Sequence, residues 1–178
     1  MLAPMSALRG AEPGILVGGH LTADYVGSET TFADVPGGNL FARLFVSPQV
    51  AFDISLGYRR YESYSGDRYF LTYALRQYPV NLGASLFSSP SSFRLFIAAG
   101  ASLAYSEVEA TRASSHEVVQ RESSFIVGAY GGLGAQIRFS PKCYVDTTVS
   151  YVWSPVSSSI TNYPAGYLQG QLGIAFAF

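Results

Sequence analysis

Alternation with a period of two governs this chain more strictly than any other sequence feature. In residues 165–178, AGYLQGQLGIAFAF, one face carries Leu168, Gly170, Leu172, Ile174, Phe176 and Phe178. The other carries Tyr167, Gln169, Gln171, Gly173, Ala175 and Ala177. A period of two belongs to a β-strand, whose successive side chains point to opposite faces. With one greasy face and one small or polar face, such a strand needs a paired neighbour on each edge.

The same division recurs upstream. KCYVDTTVSYVW sets Val145, Val149, Tyr151 and Trp153 against Tyr144, Asp146 and Ser150. SSFIVGAYGGLGAQIRF opposes Phe125, Val127, Leu133, Ile137 and Phe139 to Gly128, Gly132, Gly134, Gln136 and Arg138, so that glycines thin the polar face. FRLFIAAGASLAYSE, PVNLGASLF, the stretch around FDISLGYR, NLFARLFV and GILVGGHLTADYV follow the same rule. Eight strands are predicted, over 13–26, 38–47, 49–62, 78–88, 92–108, 123–139, 142–154 and 165–178. Residues 1–12 are read as a lead segment and 13–178 as one domain.

Composition now matters. Of 178 residues 48% are hydrophobic and only 13% charged, about half the usual level for a soluble domain. No apolar run approaches the ~20 residues of a transmembrane helix, but a barrel strand needs only ~10 residues with alternate ones apolar. The opening residues are too short and too weakly basic for a signal peptide. A net charge of -1 supplies no field to hold nucleic acid, and the single cysteine, Cys143, has no partner for an intramolecular disulfide or a zinc site. No cofactor is predicted.

The connections alternate between short and long. SPQ at 47–49, SSPSS at 88–92 and SPK at 140–142 are tight Ser-Pro turns, whereas 27–37, 63–77, 109–122 and 155–164 are long polar links. In an up-and-down meander this places the short turns and both termini at one end and the long links at the other. The second link contains RYFLTYALRQY, whose own alternation allows the flanking strands to extend.

These segments, above all NLFARLFVSPQVAFDISLGYRRYES, RLFIAAGASLAYSE and the terminal GQLGIAFAF, resemble the small eight-stranded bacterial outer-membrane β-barrels, OmpA-barrel-like or OmpX/Ail-like. The resemblance spans nearly the whole chain. It implies an all-β antiparallel transmembrane barrel with its termini at the periplasmic end, set among outer-membrane lipids and lipopolysaccharide. It also implies that the outward stripe Leu172, Ile174, Phe176 and Phe178 is read by the barrel-assembly machinery during insertion. A peptidoglycan-binding module is not carried over.

On this phase the scarce charges turn inward. His20, Asp24, Arg43, Asp53, Arg59, Arg94, Arg138 and Asp146 share the polar face with Gln136, Gln169 and Gln171, and are read as a structural network inside the barrel. Specific pairs depend on the shear and stay open. Phe52, Phe93, Phe139 and Phe178 fall at the short-turn end, and Tyr25, Tyr58, Tyr105, Tyr151 and Trp153 toward the long links, as two girdles. Phe87, Tyr61, Tyr144 and Tyr167 are phased inward and suit caps on the lumen.

Catalysis has little support. A hydrolase needs a nucleophile beside an oriented base, and the only histidines are His20, phased inward, and His116, beside Ser114 and Ser115 in a link. Possible protein contacts at the long links are Tyr64, Arg68, Tyr69, Arg112, His116, Arg121 and Tyr163, since Tyr and Arg anchor interfaces. The leading expectation is an integral outer-membrane barrel with a structural or surface-interaction role and a filled lumen. The alternatives are a narrow channel for small solutes or ions, an outer-membrane lipid-modifying enzyme, and a soluble ligand-binding barrel.

Overall fold

The computed structural model describes residues 14–25, 32–34, 36–64, 71–88, 91–112, 114–155 and 165–178. Nine strands are present among them: β1 Ile15–Tyr25, β2 Phe32–Asp34, β3 Gly37–Ser47, β4 Val50–Tyr64, β5 Leu71–Phe87, β6 Phe93–Arg112, β7 Glu117–Ser140, β8 Cys143–Trp153 and β9 Gly166–Ala177. Eight of them close into an antiparallel ring in the order β1, β3, β4, β5, β6, β7, β8, β9 and back to β1. The short β2 pairs with β4 over Phe32↔Ser63 to Asp34↔Tyr61, beyond the stretch of β4 that β3 covers. It therefore adds a ninth strand to the predicted eight without widening the ring.

Closure satisfies both edges of every ring strand, the requirement set by the alternation. One row of register partners measures the stagger. It leaves β1 at Ile15 and passes through Leu44, Phe52, Ala84, Ala99, Gly131, Tyr151 and Leu168 to return to β1 at Tyr25. That is ten residues along β1 for eight strands. With ~3.3 Å per residue and ~4.8 Å between strands, such a stagger tilts the strands by roughly 40°.

The outward face is apolar throughout the ring. Leu21, Leu40, Val127, Leu133 and Leu172 are all exposed, as are Phe93, Phe139 and Phe178 near the short turns. Along β1 the apolar positions run from Ile15 to Tyr25, which at this tilt spans roughly 25 Å, the height of an outer-membrane hydrocarbon layer. The short-turn end gathers both ends of the described chain, with Phe178 N donating to Ile15 O (3.0 Å) and Ala177 N to Lys142 O (2.9 Å).

At the opposite end the ring is uneven. The second link is largely strand, because β5 begins at Leu71 rather than 78, and the third collapses, because β6 runs to Arg112 and β7 starts at Glu117. A tight turn at 114–116 joins them, with His116 in the left-handed region (φ 56°) and its N donating to Arg112 O at 2.9 Å. The alternation continues through these residues with charged side chains on the outer face, so the strands persist beyond the apolar belt. Strands β4 to β7 thus project past the ends of β1, β8 and β9.

Candidate functional site: the lumen and its two plugs

The inward face is built from short side chains where long ones must fold across it. Phe96 lies over Gly134, its register partner, so closely that a Cβ there would meet the ring at 2.2 Å. Tyr130 covers Gly100 and Gly83, and a Cβ on Gly83 would sit 2.2 Å from its hydroxyl. These glycines leave room for aromatic plugs in a lumen only eight strands wide.

The first plug lies toward the short turns and centres on Arg43. Arg43 Nε donates to Asp53 Oδ1 (2.6 Å), and its Nη1 donates to Asp146 Oδ2 (2.8 Å). Asp146, fully buried, also accepts from Gln136 Nε2 (3.0 Å), while Gln136 Oε1 accepts from Arg94 Nε (2.9 Å) and Nη2 (2.6 Å). Ser85 Oγ donates to the remaining Asp53 oxygen. His20 sets Nε2 3.1 Å from Asp146 Oδ1 and Nδ1 2.9 Å from Asn39 Oδ1, with its ring stacked 4.3 Å from Phe41. A carboxylate can only accept, so the ring hydrogen facing Asp146 is on Nε2.

Aromatic rings complete this plug. The Arg43 guanidinium stands 4.7 Å from the Phe96 centroid and 5.1 Å from Phe87, and that of Arg94 stands 4.5 Å from Phe87 and 4.7 Å from Phe45. Desolvated cations are held by ring faces as well as by carboxylates. Phase alone marks Phe41, Phe45 and Phe96 as inward, but their use as cation-binding faces became visible only when distant strands were brought together.

The second plug lies toward the long links. Asp24 Oδ2 accepts from Tyr61 Oη at 2.5 Å, and Asp24 Oδ1 accepts from Gln169 Nε2 at 2.7 Å. Arg59 Nε lies 3.6 Å from Asp24, and its Nη2 donates to Gln169 Oε1 (3.2 Å), which also accepts from Gln171 Nε2 (2.6 Å). The Arg59 guanidinium sits over the Tyr167 ring at 5.0 Å. Tyr61, Leu75, Val108, Val152 and Tyr167 form a buried apolar cluster around this group. Between the plugs remains a cavity of about 60 Å³, lined by His20, Asn39, Arg59, Phe96, Tyr130 and Val152 among others.

Ten of the eleven residues assigned to the interior from sequence therefore fall into these two groups. Arg138 does not: it is half-buried at the short-turn rim, its Nη2 donating to Pro141 O at 3.5 Å and its guanidinium 5.9 Å from the Tyr144 ring. The β7–β8 ladder shifts register beside it, between Arg138 and Ser140. Phe87, Tyr61, Tyr144 and Tyr167 are all buried within the lumen. Outside, Tyr58, Tyr78, Tyr105 and Phe125 form a continuous aromatic row with centroids 5.4, 6.2 and 5.2 Å apart. Tyr78, at the start of the predicted strand 78–88 and not among the expected girdle residues, thus joins that girdle.

The loop assignments need revision in the same sense. Arg112 and Arg121 lie in β6 and β7, where Arg112 pairs with Glu117 (3.4 Å) and Arg121 with Glu109 (2.5 Å). Tyr64 closes β4, and His116 is at the β6–β7 turn. Arg68, Tyr69, Tyr163 and the segment 1–12 lie outside the described residues. Among the described residues His20 pairs with Asn39 and Asp146 and stacks on Phe41, and no hydroxyl nucleophile is among these partners. A greasy exterior around a polar lumen is the reverse of a soluble ligand-binding barrel.

Comparison with known proteins agrees with this geometry. Neisserial surface protein A is 16% identical, with a TM-score of 0.59, over 93% of this chain and 97% of that one. Ail, the attachment invasion locus protein of Yersinia pestis, solved with the heparin analogue sucrose octasulfate, is 16% identical, with a TM-score of 0.59, over 92% and 96%. OprG of Pseudomonas aeruginosa is 11% identical, with a TM-score of 0.68, over 95% and 98%. No curated protein matches. Residues 1–176 match the outer membrane protein beta-barrel domain, so the chain belongs to that family and its place is the bacterial outer membrane.

Proposed function

We propose that this protein is a plugged outer-membrane barrel whose lumen is structural and whose working surface is the projecting end of β4 to β7. The observation that carries this reading is the filling of the lumen by two interlocked groups of charged and aromatic side chains, with only about 60 Å³ between them. Buried charges that hold several partners each fix strands that are far apart in sequence, as Asp146 does for β1, β3 and β7. The short-turn end faces the periplasm and the projecting end faces outward. Insertion proceeds from the outward stripe of β9, Leu172 to Phe178, and lipopolysaccharide surrounds the outer half.

Planar-bilayer recording tests the filled lumen. At high incorporation the protein should leave the membrane silent. Steady, discrete conductance steps would refute the plugged lumen and favour the narrow solute channel.

A further inference from the structure

We infer that the cavity between the two plugs is a binding site for one small monovalent anion of the halide class, which completes the charge balance of the lumen. This rests on the closed-lumen reading above. The cavity's volume of about 60 Å³ admits a monatomic ion with a few waters, since one water-sized body needs roughly 10–15 Å³. Charge at His20 sets the sign of the ligand. Its Nε2 faces Asp146 Oδ1 at 3.1 Å and its Nδ1 faces Asn39 Oδ1 at 2.9 Å. Neither a carboxylate nor an amide oxygen has a hydrogen to give, so in this arrangement the ring donates from both nitrogens and is the imidazolium. The two plugs then hold Arg43, Arg59, Arg94 and His20 against Asp24, Asp53 and Asp146, which leaves a surplus of one positive charge among them. An uncompensated charge in a low-dielectric interior is costly, and a single monovalent anion cancels it. A divalent anion would only reverse the imbalance.

Unused donors mark the place. Arg43 commits Nε to Asp53 and Nη1 to Asp146, while Arg59 commits Nη2 to Gln169 and sets Nε beside Asp24. Among the described residues Arg43 Nη2 and Arg59 Nη1 have no hydrogen-bond partner, and neither have Asn39 Nδ2, Thr148 Oγ1 and Ser150 Oγ. All five belong to residues that line this cavity, Arg43 from the plug near the short turns and Arg59 from the other. The nearby carboxylates are already engaged, Asp146 by His20, Arg43 and Gln136, and Asp53 by Arg43 and Ser85. An anion beside the Asn39, Thr148 and Ser150 side chains therefore meets donors and stands between two guanidinium groups. Phe96 and Val152 add apolar wall, which suits a weakly hydrated halide better than strongly hydrated sulfate.

The full chain, refolded in detergent with bromide and crystallised, should show an anomalous-scattering peak inside the cavity. Its urea midpoint should rise as bromide or chloride replaces gluconate at fixed ionic strength, because the ion binds the folded state. Nitrogen NMR of the His20 ring should show a hydrogen on both nitrogens. Asn39→Asp supplies a fixed carboxylate that balances the ring, so it should keep the fold and lose the halide dependence. Thr148→Val/Ser150→Ala removes two donors and should weaken halide affinity about tenfold. Absence of the bromide peak from the cavity overturns the inference, as does a midpoint that gluconate or sulfate raises equally. So does a singly protonated His20 ring, or a halide dependence undiminished in Asn39→Asp. Each of these leaves the plugged lumen standing while bilayers containing the parent stay silent; steady halide conductance through the parent overturns that reading too.

Discussion

Replacing Arg43 with Met tests whether the lower plug holds the barrel together. The substitution keeps length and volume but leaves Asp53 and Asp146 without their shared cation. Asp146 retains Gln136 at 3.0 Å and His20 at 3.1 Å, and Asp53 retains Ser85. Removing one partner from a buried ion pair typically costs ~3–5 kcal/mol. The methionine sulfur restores about 0.3–1.5 kcal/mol against the rings that now face Arg43. A net loss of about 3 kcal/mol follows, which at a slope of ~2 kcal/mol/M lowers the urea midpoint by roughly 1.5 M. The fluorescence of Trp153, the only tryptophan and exposed at the lipid-facing end of β8, reports the transition in vesicles. Adding Asp53→Asn should recover part of the loss, with a coupling of about 1–3 kcal/mol. A stability for Arg43→Met within about 0.5 kcal/mol of the parent, or strict additivity in the cycle, would refute the reasoning.

Other perturbations probe different faces of the same design. Leu172→Arg places a charge on the lipid face near mid-height and should lower folding stability in vesicles by about 2–4 kcal/mol; an unchanged unfolding midpoint would remove Leu172 from the hydrocarbon. Gly100→Ala forces a Cβ to 2.2 Å from Leu82 O and 2.8 Å from the Tyr130 ring, and should cost roughly 1–3 kcal/mol through overpacking, read as a lower urea midpoint. Phe176→Ala/Phe178→Ala should slow insertion in cells while leaving refolding in detergent nearly intact; equal surface levels of variant and parent would argue against a recognition role for that stripe.

Much of this was legible in the residues. Period-two alternation is a local property of the backbone, so the facing of Leu172, Asp146 or Tyr167 follows from their neighbours alone. Short Ser-Pro turns likewise announced the compact end. The upper boundaries of β5, β6 and β7 were harder, because a strand leaving the bilayer loses its apolar outer face while keeping its hydrogen-bonded ladder. Glu109 and Arg121 look like loop residues in one dimension and stand on a sheet in three. Arg138 shows the converse: its phase is inward, yet its depth puts it at the rim, away from the plug.

By itself, the sequence determined which side of the wall each side chain takes, that no spanning helix exists among its apolar runs, and that the scarce charges must leave the lipid face. Which charges meet is fixed by the closure of the ring. Arg43 reaches Asp53 on the neighbouring strand, directly opposite it, but it reaches Asp146 across the lumen, 103 positions away. That meeting depends on the ten-residue stagger with which eight strands close. Stagger is a property of the whole ring, set when every ladder is paired at once, and no single segment carries it.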